Sequence, residues 1–180
     1  MKIFKIMLPV IALLAVGTGC ANKHDVNNNV VNNISDARKS EIEEFIKGCK
    51  GIGLRAQGAD CYNLGLAYAN GNGVKQDYFE AENYYKKACD LNERAGCYNL
   101  GVIYYHGQTG EKSIRKAISY FEKTCKLNNW FGCRDLGIIY ADGLGVRQDK
   151  SKAKEYFGKM CDMGLQDGCD NYRKLNEQGY

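Results

Sequence analysis

The spacing of the cysteines constrains this chain more than any other feature. Cys61, Cys97, Cys133 and Cys169 are 36 residues apart, and so are Cys89, Cys125 and Cys161. Other residues keep the same step: Leu64-Gly65, Leu100-Gly101 and Leu136-Gly137; Tyr68, Tyr104 and Tyr140; Gly71, Gly107 and Gly143; Ala81, Ala117 and Ala153; Tyr84, Tyr120 and Tyr156. A period in the thirties with two helical stretches per unit specifies stacked helix pairs, each burying its apolar face only against its neighbours. The expected fold is all-α: an α/α solenoid, or superhelix, of about four helix-turn-helix repeats over residues 36–180.

Within a unit the elements follow from local chemistry. Residues 59–70 place Cys61, Leu64, Gly65 and Tyr68 at i, i+3, i+4, i+7, one face of a helix A. Gly71-Asn72-Gly73 ends it, because glycine takes the left-handed C-cap conformation without strain. Asp77 is placed to cap helix B, with Glu80 as the partner of a capping box. Helix B runs to about Leu91. The pattern returns at 95–107 with 113–127 and at 131–142 with 149–163, between a leading helix near 36–50 and a closing one near 167–178. Tyr172-Arg173 replaces the Leu-Gly pair in the closing helix, as befits an end unit.

The first 35 residues read differently. Lys2 and Lys5 precede an apolar run from Ile6 to Val16, and Gly17-Thr18-Gly19-Cys20-Ala21 follows. This is the layout of a secretory signal peptide, 1–19, and the run is too short for a permanent membrane span. Two processing routes stay open. Cys20 is the lipidation site if Gly17–Cys20 is read as a bacterial lipobox, although Gly17 stands where a leucine-like residue is usual. Ordinary cleavage after Ala21 is the other route. Residues 20–35, rich in asparagine, read as a flexible tether. The expected location is therefore periplasmic or secreted, with membrane association only through a lipid on Cys20.

Export decides how the cysteines are read. No C-x2-C occurs, and His24 and His106 are the only histidines, so metal binding is not supported and no cofactor is expected. In an oxidising compartment paired cysteines form disulfides. In C-x7-C one cysteine ends helix B and the other opens the next helix A across a tight turn, which brings their Cβ atoms within bonding range. The expected bridges are Cys49–Cys61, Cys89–Cys97, Cys125–Cys133 and Cys161–Cys169, leaving Cys20 without a disulfide partner. Each short loop contributes about 2.5 kcal/mol in the chain-entropy model. The net charge of +4 falls to +2 once Lys2 and Lys5 are set aside, and the lysines are scattered among acids. No nucleic-acid partner is expected from so mild a balance.

Cys97-Tyr98-Asn99-Leu100-Gly101-Val102-Ile103-Tyr104, and Tyr140-Ala141-Asp142-Gly143-Leu144-Gly145-Val146-Arg147-Gln148-Asp149 with Ala153 and Tyr156, resemble Sel-one-like repeats, which are related to the tetratricopeptide repeat. With a C-x7-C in each unit, the chain resembles the Helicobacter cysteine-rich proteins. The unit at 95–127 departs from the pattern at Thr109-Gly110, where Gly-Val is usual. The resemblance implies a secreted or periplasmic disulfide-rich solenoid. It also implies penicillin binding with weak β-lactamase activity, so cell-wall fragments and β-lactams join peptides and proteins as candidate partners.

The residues favour a binding module, acting as a monomer, over a hydrolase. A serine β-lactamase needs an S-x-x-K serine with S-D-N and K-T-G strings elsewhere. Ser113–Lys116 and Ser151–Lys154 fit the first string, but they occupy different repeat positions, and Ser113 aligns with the helix caps Asp77 and Asp149. Neither other string occurs; Lys123-Thr124-Cys125 is the nearest. A helical wheel gives the binding surface instead. At about 100° per residue, the positions opposite the buried stripe are Ala59, Asn63, Leu66 and Asn70, then Ala95, Asn99, Val102 and His106, then Phe131, Asp135, Ile138 and Asp142. Helix A is expected to line the concave side. Its apolar row and its amides, which both donate and accept, suit a peptide or protein partner.

Overall fold

The computed structural model describes the backbone of residues 23–52, 57–110 and 112–180, with side chains from Asp36 onward. The signal peptide and Cys20 lie outside the described residues. Every regular element among the described residues is a helix: α1 (Lys23–Lys50), α2 (Gly58–Asn70), α3 (Tyr78–Asp90), α4 (Arg94–His106), α5 (Ile114–Lys126), α6 (Trp130–Asp142), α7 (Lys150–Asp162) and α8 (Gln166–Glu177). The starts of α2, α4, α6 and α8 step by 36, as do those of α3, α5 and α7. One compact unit covers Ser35–Tyr180, and residues up to Ile34 group apart from it. The backbone differs from the expected tether in one respect, since helix begins at Lys23. Val26, Val30 and Ile34 recur at i, i+4, i+8 there, a helical spacing among the asparagines.

Each turn repeats one hydrogen-bond scheme. Gly71, Gly107 and Gly143 end the A helices at φ 71°, 70° and 70°. The Phe79 and Glu80 amides donate to Asp77 Oδ1 at 2.9 and 3.2 Å, and the Lys152 amide donates to Asp149 Oδ1 at 2.9 Å. The amides of Asp77, Ser113 and Asp149 donate in turn to the carbonyls of Tyr68, Tyr104 and Tyr140, at 2.9, 2.9 and 2.8 Å. Those last bonds correct one expectation. The N–H that a capping-box Glu80 needs is already given to Tyr68, so Asp77 caps α3 alone. The departing turn at Thr109 is held differently. The Thr109 hydroxyl donates to Glu82 Oε2 at 2.6 Å, the Tyr104 hydroxyl also donates to Glu82, and the positive φ moves to Gly110.

Packing uses the small residues of helix A. An added Cβ at Gly65, Gly101 or Gly137 meets a ring carbon of Tyr85, Phe121 or Phe157 at 2.4, 2.6 and 2.6 Å. The glycine therefore lets one aromatic of helix B lie directly on the A backbone. Leu64, Leu100 and Leu136 are fully buried beside it. On the far side of each pair, Tyr68–Tyr84, Tyr104–Tyr120 and Tyr140–Tyr156 stack at 5.5, 5.6 and 5.9 Å with planes 9° apart. Four disulfides, Cys49–Cys61, Cys89–Cys97, Cys125–Cys133 and Cys161–Cys169, tie each helix to the next helix A with Cα–Cα distances of 4.7, 4.5, 4.8 and 4.5 Å. They clamp the turns that the A–B packing does not reach.

Candidate binding groove

Three clefts run in a row across the A helices, one between each neighbouring pair. The first, of about 260 Å³, lies between α2 and α4 and is lined by Leu66, Asn70, Tyr78, Asn99, Val102 and Gln108, with others. The second, of about 240 Å³, lies between α4 and α6 and includes Tyr98, Val102, His106, Asp135, Ile138 and Leu144. The third, of about 340 Å³, lies between α6 and α8 and includes Ile138, Asp142, Lys150, Asn171, Lys174 and Gln178. Val102 and Ile138 are each shared by two clefts, so the row is continuous. Of the nine binding positions read from the helical wheel, only Asn63 lines none of the three; it is half-buried on α2. Phe131 and Ile138 are 37% and 40% exposed, large for apolar side chains in so packed a molecule.

The polar positions are not free. The Asn99 amide sits against the Tyr62 and Tyr85 hydroxyls and offsets part of the rise that burial imposes on both phenols. Tyr85 is nonetheless pushed up to about 12, chiefly by desolvation. One repeat later, the Tyr98 hydroxyl donates to Asp135 Oδ2 at 3.1 Å, and Arg134 Nε donates to Asp135 Oδ1 at 2.9 Å. Burial and then the Asp135 carboxylate push Tyr98 up to about 12. Each contact runs from a tyrosine on one A helix to the polar residue 37 positions on, so the row staples repeat to repeat as well as facing the groove. The Arg134 guanidinium lies over the rings of Trp130 and Phe131 at 5.3 and 5.2 Å, and Phe131 packs on Tyr98 at 5.4 Å. No other A helix opens with two aromatics.

The family model for the Sel1 repeat matches residues 59–93, 94–129 and 130–165, one match for each complete helix pair. The chain belongs to the Sel1 repeat family. Among solved structures, it is similar to a Sel1 repeat protein from Oxalobacter formigenes, at 28% identity and a TM-score of 0.64, over 83% of this chain and 60% of that one. It thus spans less than two thirds of that relative. It is also similar to cysteine-rich protein B of Helicobacter pylori, at 27% identity and a TM-score of 0.52, over 84% of this chain and 98% of that one. The Escherichia coli protein c5321, a protective antigen of uropathogenic strains with an SLR fold, shares the fold at 23% identity and a TM-score of 0.62, over 88% and 37% of the two chains. No curated protein matches the chain at a significant level.

In this Sel1 array the two S-x-x-K serines stand apart from any groove lysine. Ser113 Oγ accepts from the Lys116 amide at 3.5 Å as the cap of α5, while the Lys116 ammonium lies 4.8 Å over the Tyr104 ring. Ser151 is exposed in the first turn of α7, and Lys154 Nζ reaches Asn176 Oδ1 at 3.3 Å instead. Thr124 of the K-T-C string is fully buried, its hydroxyl donating to the Tyr120 carbonyl at 2.8 Å. The helical wheel missed Tyr98, Tyr105, Leu144 and the whole α8 contribution. The repeat step of 36 finds the α8 residues: Asp135, Ile138 and Asp142 lead directly to Asn171, Lys174 and Gln178.

Proposed function

We propose that this Sel1 array works outside the cytoplasm as a scaffold that holds a segment of a partner protein along its A helices. The observation that carries the reading is the row of three clefts, built from the same repeat positions on four successive A helices. Serial shallow clefts suit a chain-like ligand better than a compact small molecule, which is held in one enclosed pocket. Exposed Phe131 and Ile138 supply apolar contact, and the aromatic and arginine residues beside them are the types enriched where binding energy concentrates. The four disulfides and the likeness to the Helicobacter protein support an oxidising compartment. Export through residues 1–19, a tether at 20–35 and acylation of Cys20 complete this reading.

The test is capture of partners from the native envelope by the oxidised chain, compared with its Ile138→Glu variant. A charge at that position, shared by two clefts, should abolish specific capture while helicity stays unchanged. Equal capture by both proteins removes the groove from consideration. Mass spectrometry of the mature N-terminus separates an acylated Cys20 from a chain that begins at Asn22.

A further inference from the structure

We infer that the groove receives its partner as a polyproline-II segment, with an anchoring side chain at every third residue and an acidic anchor in the α6–α8 cleft. This rests on the groove reading above and adds the ligand's conformation and chemistry. The first argument is spacing. The A helices α2 and α4 come into contact, and packed helices lie about 8–10 Å apart. The repeat carries that step along the array, so the clefts recur at about the same interval. A polyproline-II helix returns to the same face after three residues, which is about 9.3 Å. A β-strand returns after two, about 6.6 Å, and falls out of step by the second cleft. An α-helix returns after seven residues, about 10.5 Å, but its backbone bonds are already closed internally.

The second argument is the lining. Polyproline II makes no internal hydrogen bonds, so its carbonyls need outside donors, and it docks on aromatic grooves. The clefts offer rings at each step: Tyr78 and Tyr85, then Tyr98, Tyr105 and Phe121, then Phe157. Asn99 and Asn171 bring amides to the first and third clefts, and an amide engaged by a tyrosine still has capacity left.

The third argument is charge. The first cleft holds no carboxylate, ammonium or guanidinium group. The second holds Asp135, already partnered by Arg134, beside exposed Ile138 and Leu144. The third holds Lys150 and Lys174 against the single carboxylate of Asp142. In order, the clefts therefore suit a neutral, an apolar and an acidic side chain.

The experiment uses labelled peptides with capped ends and the oxidised chain, read by fluorescence anisotropy. One peptide carries leucine, phenylalanine and glutamate with two prolines between successive anchors. A second carries the same anchors at every second residue, and a third is helical with anchors seven residues apart. The first should bind about tenfold more tightly than either comparator. Changing its glutamate to lysine should weaken it about tenfold, and Lys174→Glu in the protein should reverse that preference. Equal or tighter binding of either comparator, no binding of the first peptide, or a charge preference untouched by Lys174→Glu each overturns the inference. If Ile138→Glu stops envelope capture while the peptides show no spacing preference, the groove stands and the polyproline-II ligand falls. If Ile138→Glu alters neither capture nor peptide binding, the groove itself falls.

Discussion

Replacing Gly101 by alanine tests the packing that sets the whole array. An added Cβ lies 2.6 and 2.7 Å from Phe121 Cε1 and Cδ1, and 3.3 Å from Cζ. Carbon atoms pack best at about 3.5–4.0 Å, so the ring must retreat by about 1 Å. Phe121 cannot do so freely: it is 2% exposed and packs on Tyr98 at 5.7 Å. Overpacking of this kind costs about 1–3 kcal/mol. Alanine gains about 1 kcal/mol over glycine inside a helix, so a net loss of about 1–2 kcal/mol is expected. Gly158→Ala is the control. Its Cβ meets only Tyr172, at 3.3 Å, and that ring is 40% exposed and free to shift. The control should therefore be neutral or gain up to about 1 kcal/mol. Urea unfolding of the oxidised proteins, followed by circular dichroism, reads both shifts as changes in midpoint at constant slope. A Gly101→Ala variant as stable as the parent, or one no less stable than Gly158→Ala, refutes the argument that the Leu-Gly pair exists to admit the aromatic.

Ser113→Ala should lower stability by about 0.5–1 kcal/mol through loss of the α5 cap, and it should leave any turnover of a chromogenic cephalosporin unchanged. The double variant Asn63→Ala, Asn99→Ala should weaken a captured partner by at least about 1 kcal/mol, measured by calorimetry with helicity intact. Stability should fall as pH rises from about 10. Tyr85 is held at about 12 in the fold, so the unfolded chain loses that proton first and gains from each rise in pH between the two values. Ultraviolet titration should show a late-ionising tyrosine class that is lost on unfolding. Peptide mapping without reductant should recover the four bridges joined as in the structure; free thiol at any of the eight positions would contradict it.

Fold and sequence correspond closely here because the repeat supplies independent copies of each signal. A single Leu-Gly pair or one C-x7-C spacing is weak evidence, but three copies in register leave little room for another topology. The helix bounds follow from the same redundancy: Gly71, Gly107 and Gly143 stop the A helices, and Asp77, Ser113 and Asp149 start the B helices. Where the repeat is absent, local reading is weaker. The asparagines before Ser35 argue for coil by propensity alone, and the helix from Lys23 follows a valine and isoleucine spacing that propensity does not weigh. Glu80 illustrates a different limit. A capping box looks complete in sequence, yet a carbonyl from the preceding helix, Tyr68, has already taken the amide in question.

The groove was legible in direction but not in detail, and the reason is that a helical wheel describes one helix at a time. It placed Leu66, Val102 and Ile138 on the outer face correctly, yet each lines a cleft because the next A helix stands beside it. The wheel also treats Asn99 and Asp135 as free donors and acceptors. Their partners, Tyr62 with Tyr85 and Tyr98 with Arg134, come mainly from the preceding repeat, and a sequence separation of 37 leaves no local trace. This dual use has a consequence for binding. A ligand that draws on Asn99 or Asp135 acts on the same groups that lock adjacent repeats, so binding and inter-repeat stiffness are coupled through one row of side chains. Removing Asp135 should then affect more than one ligand contact: it leaves the half-buried Tyr98 hydroxyl and Arg134 without their shared partner, and it loosens the α4–α6 junction that forms the central cleft.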